Sequence, residues 1–168
     1  EGVPAGADRS FRLPPPVFGV GLIEAIDEQT IVDLADPDDA VGGGISGRVN
    51  WVMAADFVSE RHVGGVPGTH VGRFSRKSHV SSLLEQVSAA YQQDIGVTSD
   101  FIPEENFQSQ HTATVSIGDI APDPEISANT VLETVMYVRL LQPPARGRIT
   151  AEVESGEVLF ANLQCVAC

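Results

Sequence analysis

The stretch GEVLFANLQCVAC, residues 156–168, carries the only two cysteines of the chain, Cys165 and Cys168, three positions apart. Their surroundings decide the fold, because each use of a C-x-x-C pair demands a different local structure. Upstream of the pair, Ser155 is placed to cap a helix and Glu157 falls in a first turn, facing the positive end of the dipole. Val158, Leu159 and Leu163 follow at helical spacing as core candidates. The cysteines therefore come about two turns into an amphipathic helix.

A thioredoxin-type pair expects a strand to deliver the first thiol to a helix N-terminus, where the dipole lowers its pKa. Thiols set late in a helix lack that help. A zinc site needs four N or S ligands, and the available histidines, His62, His70, His79 and His111, show no H-x(3–5)-H spacing. A disulfide between residues three apart within a helix is geometrically poor. The third use is C-x-x-C-H, in which two thiols add to the haem vinyl groups and the adjacent His reaches the iron from the same turn. A lead-in of the form G-x-x-L-F suits it, although the position that would hold the His follows the last residue given.

Composition bounds the rest. A chain of 168 residues with 42% hydrophobic content can build one ordinary core, and its 16 Gly and 11 Pro against 6% aromatics predict much loop and turn. The net charge of −13 repels phosphate backbones and argues against nucleic acid as a partner. It would steer a basic partner favourably. No apolar run of 18 residues predicts a membrane span, and no signal peptide is evident.

Working outward, residues 1–16 read as an extended Pro/Gly-rich lead. VFGVGLIEAI, residues 17–26, reads as a short buried helix whose Gly19 and Gly21 imply a close neighbour, each lowering helix propensity by about 1 kcal/mol relative to Ala. A second short helix follows over residues 28–35. DPDDAVGGGISGR, residues 36–48, is an acidic glycine loop. Residues 48–53 and 68–75 are β-capable and separated by a Gly/Pro turn, predicting a small hairpin.

The clearest helix is SSLLEQVSAAYQQDIG, residues 81–96. Val80, Leu83, Leu84, Val87 and Tyr91 fall on one stripe, Ser82 and Glu85 have capping-box spacing, and Gly96 ends it. SANTVLETVMYVRLLQPP, residues 127–144, is the second, with Ser127 as cap, Val131, Leu132, Val135, Met136 and Val138 as its apolar face, and Pro143-Pro144 as stop. Residues 98–125 are irregular and acidic. The segment 145–154 reads as a linker, and its last part, 147–154, leads to the helix expected from residue 155.

Together, PPPVFGVGLIEAI, DPDDAVGGGISGRVN, GRFSRK, DIGVTSDFIPEE, YVRLLQPPAR and the C-terminal stretch resemble, in order and spacing, the bacterial di-haem c-type oxidoreductases known as thiol oxidoreductases. These are relatives of the di-haem cytochrome c peroxidases. The resemblance covers nearly all of the chain. It implies a mainly α fold with long loops and at most a small β-hairpin, cytochrome c-like and incomplete.

Residues 1–146 would be the remainder of a first haem domain with inserted loops, and residues 155–168 the first helix of a truncated second domain. The implied cofactor is haem c, two in the parent protein, with Cys165 and Cys168 as the covalent anchors of the second. The implied biology is electron transfer in the periplasm or cell envelope, peroxidase-like, with a redox partner protein. Such a fragment, lacking a complete C-x-x-C-H, is expected to be inactive by itself. Arg73, Arg76 and Lys77 of GRFSRK are candidate partners for haem propionates, as charge-assisted donors.

Departures from the family pattern matter. The glycine loop of the family carries an aspartate ladder of calcium-binding type, but Val41 and Gly43 stand where two carboxylates would be. Asp36, Asp38 and Asp39 remain as candidate Ca²⁺ ligands, short of the six to eight oxygens a calcium ion takes. Arg76 replaces an aromatic, and Ile95 replaces a methionine. Met53 and Met136 read as core rather than haem ligands. A reading of a different class also stands: a non-catalytic binding or scaffold module whose acidic glycine loop holds calcium.

Overall fold

In a computed structural model of the chain, residues 13–58, 68–106, 119 and 121–167 are described. Among them are five α-helices and one two-stranded antiparallel sheet: α1 (Val20–Glu24), α2 (Glu28–Asp33), β1 (Trp51–Met53), β2 (Thr69–Val71), α3 (Leu83–Ile95), α4 (Ala128–Leu140) and α5 (Ala151–Asn162). A 3₁₀ turn, Cys165–Ala167, follows α5. The fold is mainly α with a small hairpin, as expected.

Helix α3 forms where the sequence stripe and caps predict it. The Ser82 side chain accepts from the Glu85 N–H, and Gly96 closes the helix at φ 67°, a left-handed conformation that glycine adopts without steric cost. In α4, Ser127 accepts from the Thr130 N–H. The core lies between these two helices: Leu83, Leu84 and Val87 of α3 pack with Val131, Val135 and Val138 of α4, and Phe74 and Val80 close one side. At about 25 cal/mol per Å² of apolar surface removed from water, each fully buried side chain of this size contributes about 1.5–3 kcal/mol.

The hairpin pairs Trp51 with Val71, Val52 with His70 and Met53 with Thr69. Its expected turn, residues 64–68, lies outside the described residues except for Gly68. Past the hairpin, Gly72 lies so close to Ser78 that a Cβ there would stand 1.8 Å from the Ser78 carbonyl oxygen. Only glycine fits this crossing.

Three expectations are corrected. Helix α1 is shorter than residues 17–26 and has no buried residue. Val17, Phe18, Leu22, Ile23 and Ile26 are all more than 40% exposed, since the helix rests on α4 through its glycine face. That close approach is the one Gly21 implied: a Cβ there would lie 2.2 Å from the Arg139 carbonyl oxygen. Met136 is half exposed, because α4 buries its valine row at 131, 135 and 138 and turns position 136 outward.

The last helix starts four residues earlier than expected, at Ala151. Thr150, not Ser155, is its cap and accepts from the Val153 N–H, with Glu152 and Glu154 in the first turn. Half of the expected linker 147–154 is therefore helix. None of its residues is buried, so Val158, Leu159 and Leu163 are not core.

Candidate functional site

Cys165 sits in the 3₁₀ turn after α5, exposed and with a free thiol. Gln164 just before it has φ 60°, so the chain changes direction between the helix and the cysteine. Cys165 thus lies beyond the end of α5 instead of within it, which differs from the in-helix position expected. Close to it in sequence, Val158, Leu159 and Phe160 of α5 and Leu163 just after it are 54–73% exposed, and Val166 is exposed as well. Exposed apolar side chains and an exposed thiol thus follow one another at this end of the chain. Cys168 lies outside the described residues.

The GRFSRK cations separate into different tasks. The Arg73 guanidinium donates through Nη1 to the carbonyls of Ile23, Glu24 and Ile26, closing the C-terminal end of α1. A cation at that end complements the helix dipole. Arg76 is exposed, and its Nε donates to the Leu13 carbonyl at 2.6 Å. Lys77 is exposed, and its carbonyl accepts from the Asn50 side-chain amide. The three are neighbours in sequence, yet only Arg76 and Lys77 leave their charge at the surface.

The acidic glycine loop is organised by its own carboxylates. Asp36 accepts from the Ala40 N–H at 2.7 Å and the Val41 N–H at 3.1 Å. These two amides hold its carboxyl below the ordinary aspartate value of 3.8. Asp39 accepts from the Gly44 N–H with both oxygens, and Arg48 donates to the Pro37 carbonyl across the loop. Asp38 is exposed. Among the described residues, the carboxylates that gather are instead Glu105, Asp119 and Asp123, whose oxygens lie within 4.8 Å of one another. Loss of solvent, and then the charges of Asp123, Asp119 and Glu125, raise the Glu105 pKa. The run of acids in residues 98–125 is the sequence signal for this group, although its assembly depends on the fold.

Two histidines are placed. His70 is buried on β2, with Nδ1 3.6 Å from the Glu28 carboxylate of α2 and no hydrogen-bond partner for Nε2 among the described residues. Glu28 also accepts from the Val71 N–H, so it ties α2 to β2. His79 is exposed and shares a 2.7 Å hydrogen bond between Nδ1 and Ser75 Oγ. His62 and His111 lie outside the described residues. Met53 is exposed at the end of β1, which corrects its reading as core, because it closes a strand held by only three residue pairs and is covered by none of the described residues.

No helix among the described residues is long and apolar enough to cross a membrane. No curated protein and no solved structure matches the chain. The family described as "Di-haem oxidoreductase, putative peroxidase" does match, over residues 7–168. That span takes in the glycine loop, the GRFSRK turn, both core helices and the cysteine segment, so the chain belongs to the di-haem oxidoreductase family.

Proposed function

We propose that this chain is the part of a c-type di-haem electron-transfer protein that anchors one haem through Cys165 and Cys168. The observation that supports this most directly is the Cys165 thiol, exposed and free at the end of an α5 whose apolar side chains are also exposed. Residues and cofactor fit: a haem needs a reachable thiol for its vinyl group and apolar side chains against its faces, and this surface offers both. Once bound, the haem supplies one-electron redox chemistry. The chain contributes the attachment point, the apolar wall from α5, and the turn at Gln164 that sets Cys165 beyond the helix end.

On this reading α5 opens a second cytochrome c-like unit, beginning at Ala151, while residues 1–146 belong to the first. The setting is the bacterial periplasm or envelope, where c-type haem is attached, and the parent's chemistry is peroxidase-like. A net charge of −13 suits a basic redox partner. The test is to express the natural full-length protein with a cytochrome c maturation system and count covalent haem by the pyridine haemochrome spectrum. Replacing Cys165 and Cys168 by serine should remove one haem per protein. An unchanged haem count in that double variant overturns the assignment.

A further inference from the structure

Away from the cysteines, a cleft of about 810 Å³ opens between α3, the Pro14-Pro15 segment and the turn carrying Ser75, Arg76 and His79. That volume lies in the usual range for a small-ligand site. Three features give the cleft a chemical direction.

The first is its floor. Gln86, Ala89, Ala90 and Gln93 line it from one face of α3, at helical spacing i, i+3, i+4 and i+7. The alanines let a backbone approach closely. The two glutamine amides are seven residues apart, about 10.5 Å along the helix axis. Three residues of extended peptide span about 10 Å. The second is an unmet need: Gln86 Oε1 is sealed from solvent beneath the cleft floor and has no hydrogen-bond partner among the described residues. Such an acceptor is destabilising until a donor reaches it, and a peptide N–H does so once the Gln86 side chain turns outward into the cleft.

The third is charge. The Arg76 Nε bond to Leu13 fixes its guanidinium at the cleft edge, where its terminal nitrogens make no hydrogen bond among the described residues. A planar guanidinium matches a carboxylate with two parallel bonds. Asp94, in the last turn of α3, lines the cleft as an anion. Glu85 lines it too, but its carboxylate already accepts from Ser81 Oγ. The proline rings supply an apolar wall opposite the helix.

We propose that this cleft is a binding site for a short peptide with a free C-terminal carboxylate. Arg76 takes the carboxylate, the Gln86 and Gln93 side chains meet the peptide amides, and Asp94 favours the amino end. This site is separate from the haem attachment proposed at Cys165.

The test is nuclear magnetic resonance titration of the full chain with trialanine, and in parallel with its methyl ester, which lacks the carboxylate. Saturable shifts of the Ala89 and Ala90 amides and the Gln86 and Gln93 side-chain signals are expected with trialanine. The ester should bind about tenfold more weakly, as should trialanine to Arg76→Gln. Gln86→Leu should weaken it several-fold, while Lys77→Gln, beside the cleft but not lining it, should leave it unchanged. No saturable response to trialanine, equal binding of acid and ester, or an equal loss in Lys77→Gln and Arg76→Gln overturns the proposal. The ester comparison is made on the unaltered chain, so it decides even if a variant fails to fold.

Discussion

Glu24 and Arg139, 115 positions apart in the chain, meet at 2.5 Å where the end of α1 crosses the end of α4. Their side chains are 14% and 25% exposed. The other Glu24 oxygen accepts from the Leu83 N–H at 2.9 Å, so one carboxylate joins α1, the first turn of α3 and the last turn of α4. A carboxylate at the α3 N-terminus also complements that helix dipole. Glu24→Gln should destabilise the chain by about 2 kcal/mol, because both charge-assisted bonds weaken in a partly dry site. Arg139→Met should cost less than Glu24→Gln, since it leaves the Leu83 bond intact. Urea denaturation of the single and double variants checks this; strictly additive losses would show that the pair is not coupled.

Gly21 lies at the same crossing. The ideal Cβ position on Gly21 is 2.2 Å from the Arg139 carbonyl oxygen and 2.8 Å from its Cα, atoms of a helix backbone that cannot rotate away. Gly21→Ala must therefore push α1 off α4. Alanine's better helix propensity returns about 1 kcal/mol, against an overpacking cost of about 3 kcal/mol, for a net loss of about 2 kcal/mol. A variant as stable as the parent in thermal unfolding would mean that the two helices do not touch in solution.

The difference between what the sequence reveals and what it conceals is clear at these positions. The α3 stripe from Val80 to Val87 and the caps Ser82 and Ser127 are local patterns, and each forms as read. Gly21 signals a close neighbour but cannot say which, because Arg139 is brought to it only by the fold. Arg73, Arg76 and Lys77 look alike as a basic run, yet Arg73 is drawn to the α1 carbonyls by tertiary geometry. The exposed apolar residues of α5 have the spacing of a core helix. Hydrophobic periodicity reports a face to be covered, not what covers it. The cleft at Gln86 was hidden for a related reason, since it joins residues 14–15, 75–79 and 86–94.

The glycine loop should respond to acid through Asp36. Its carboxyl is held below 3.8 by the Ala40 and Val41 amides, so the unfolded chain takes up a proton at higher pH than the folded one. The contribution of Asp36 is therefore fully present above about pH 4 and is lost as pH falls through the lowered value. Carbon-detected titration should place Asp36 below ordinary aspartates. Asp36→Asn should flatten part of the stability loss between neutral and acid pH, with or without calcium present. An Asp36 that titrates at or above 3.8 would disconnect it from those two amides.

The start of α5 offers a sharper contest, because sequence and structure name different caps. Ser155 has a cap-forming side chain, but in the fold it sits inside the helix, where serine is a poorer former than alanine. Thr150 holds extended backbone angles, φ −110° and ψ 169°, and its hydroxyl accepts from the Val153 N–H. The side chain of Thr150 also lowers the Glu152 pKa, consistent with a first turn that favours anions. Thr150→Ala should then lower the helix content of α5 and destabilise it by about 1 kcal/mol, while Ser155→Ala should leave it unchanged or slightly raise it. Circular dichroism and amide exchange across residues 151–162 distinguish the two starts. A greater loss of protection in Ser155→Ala would restore the later start and return residues 151–154 to the linker.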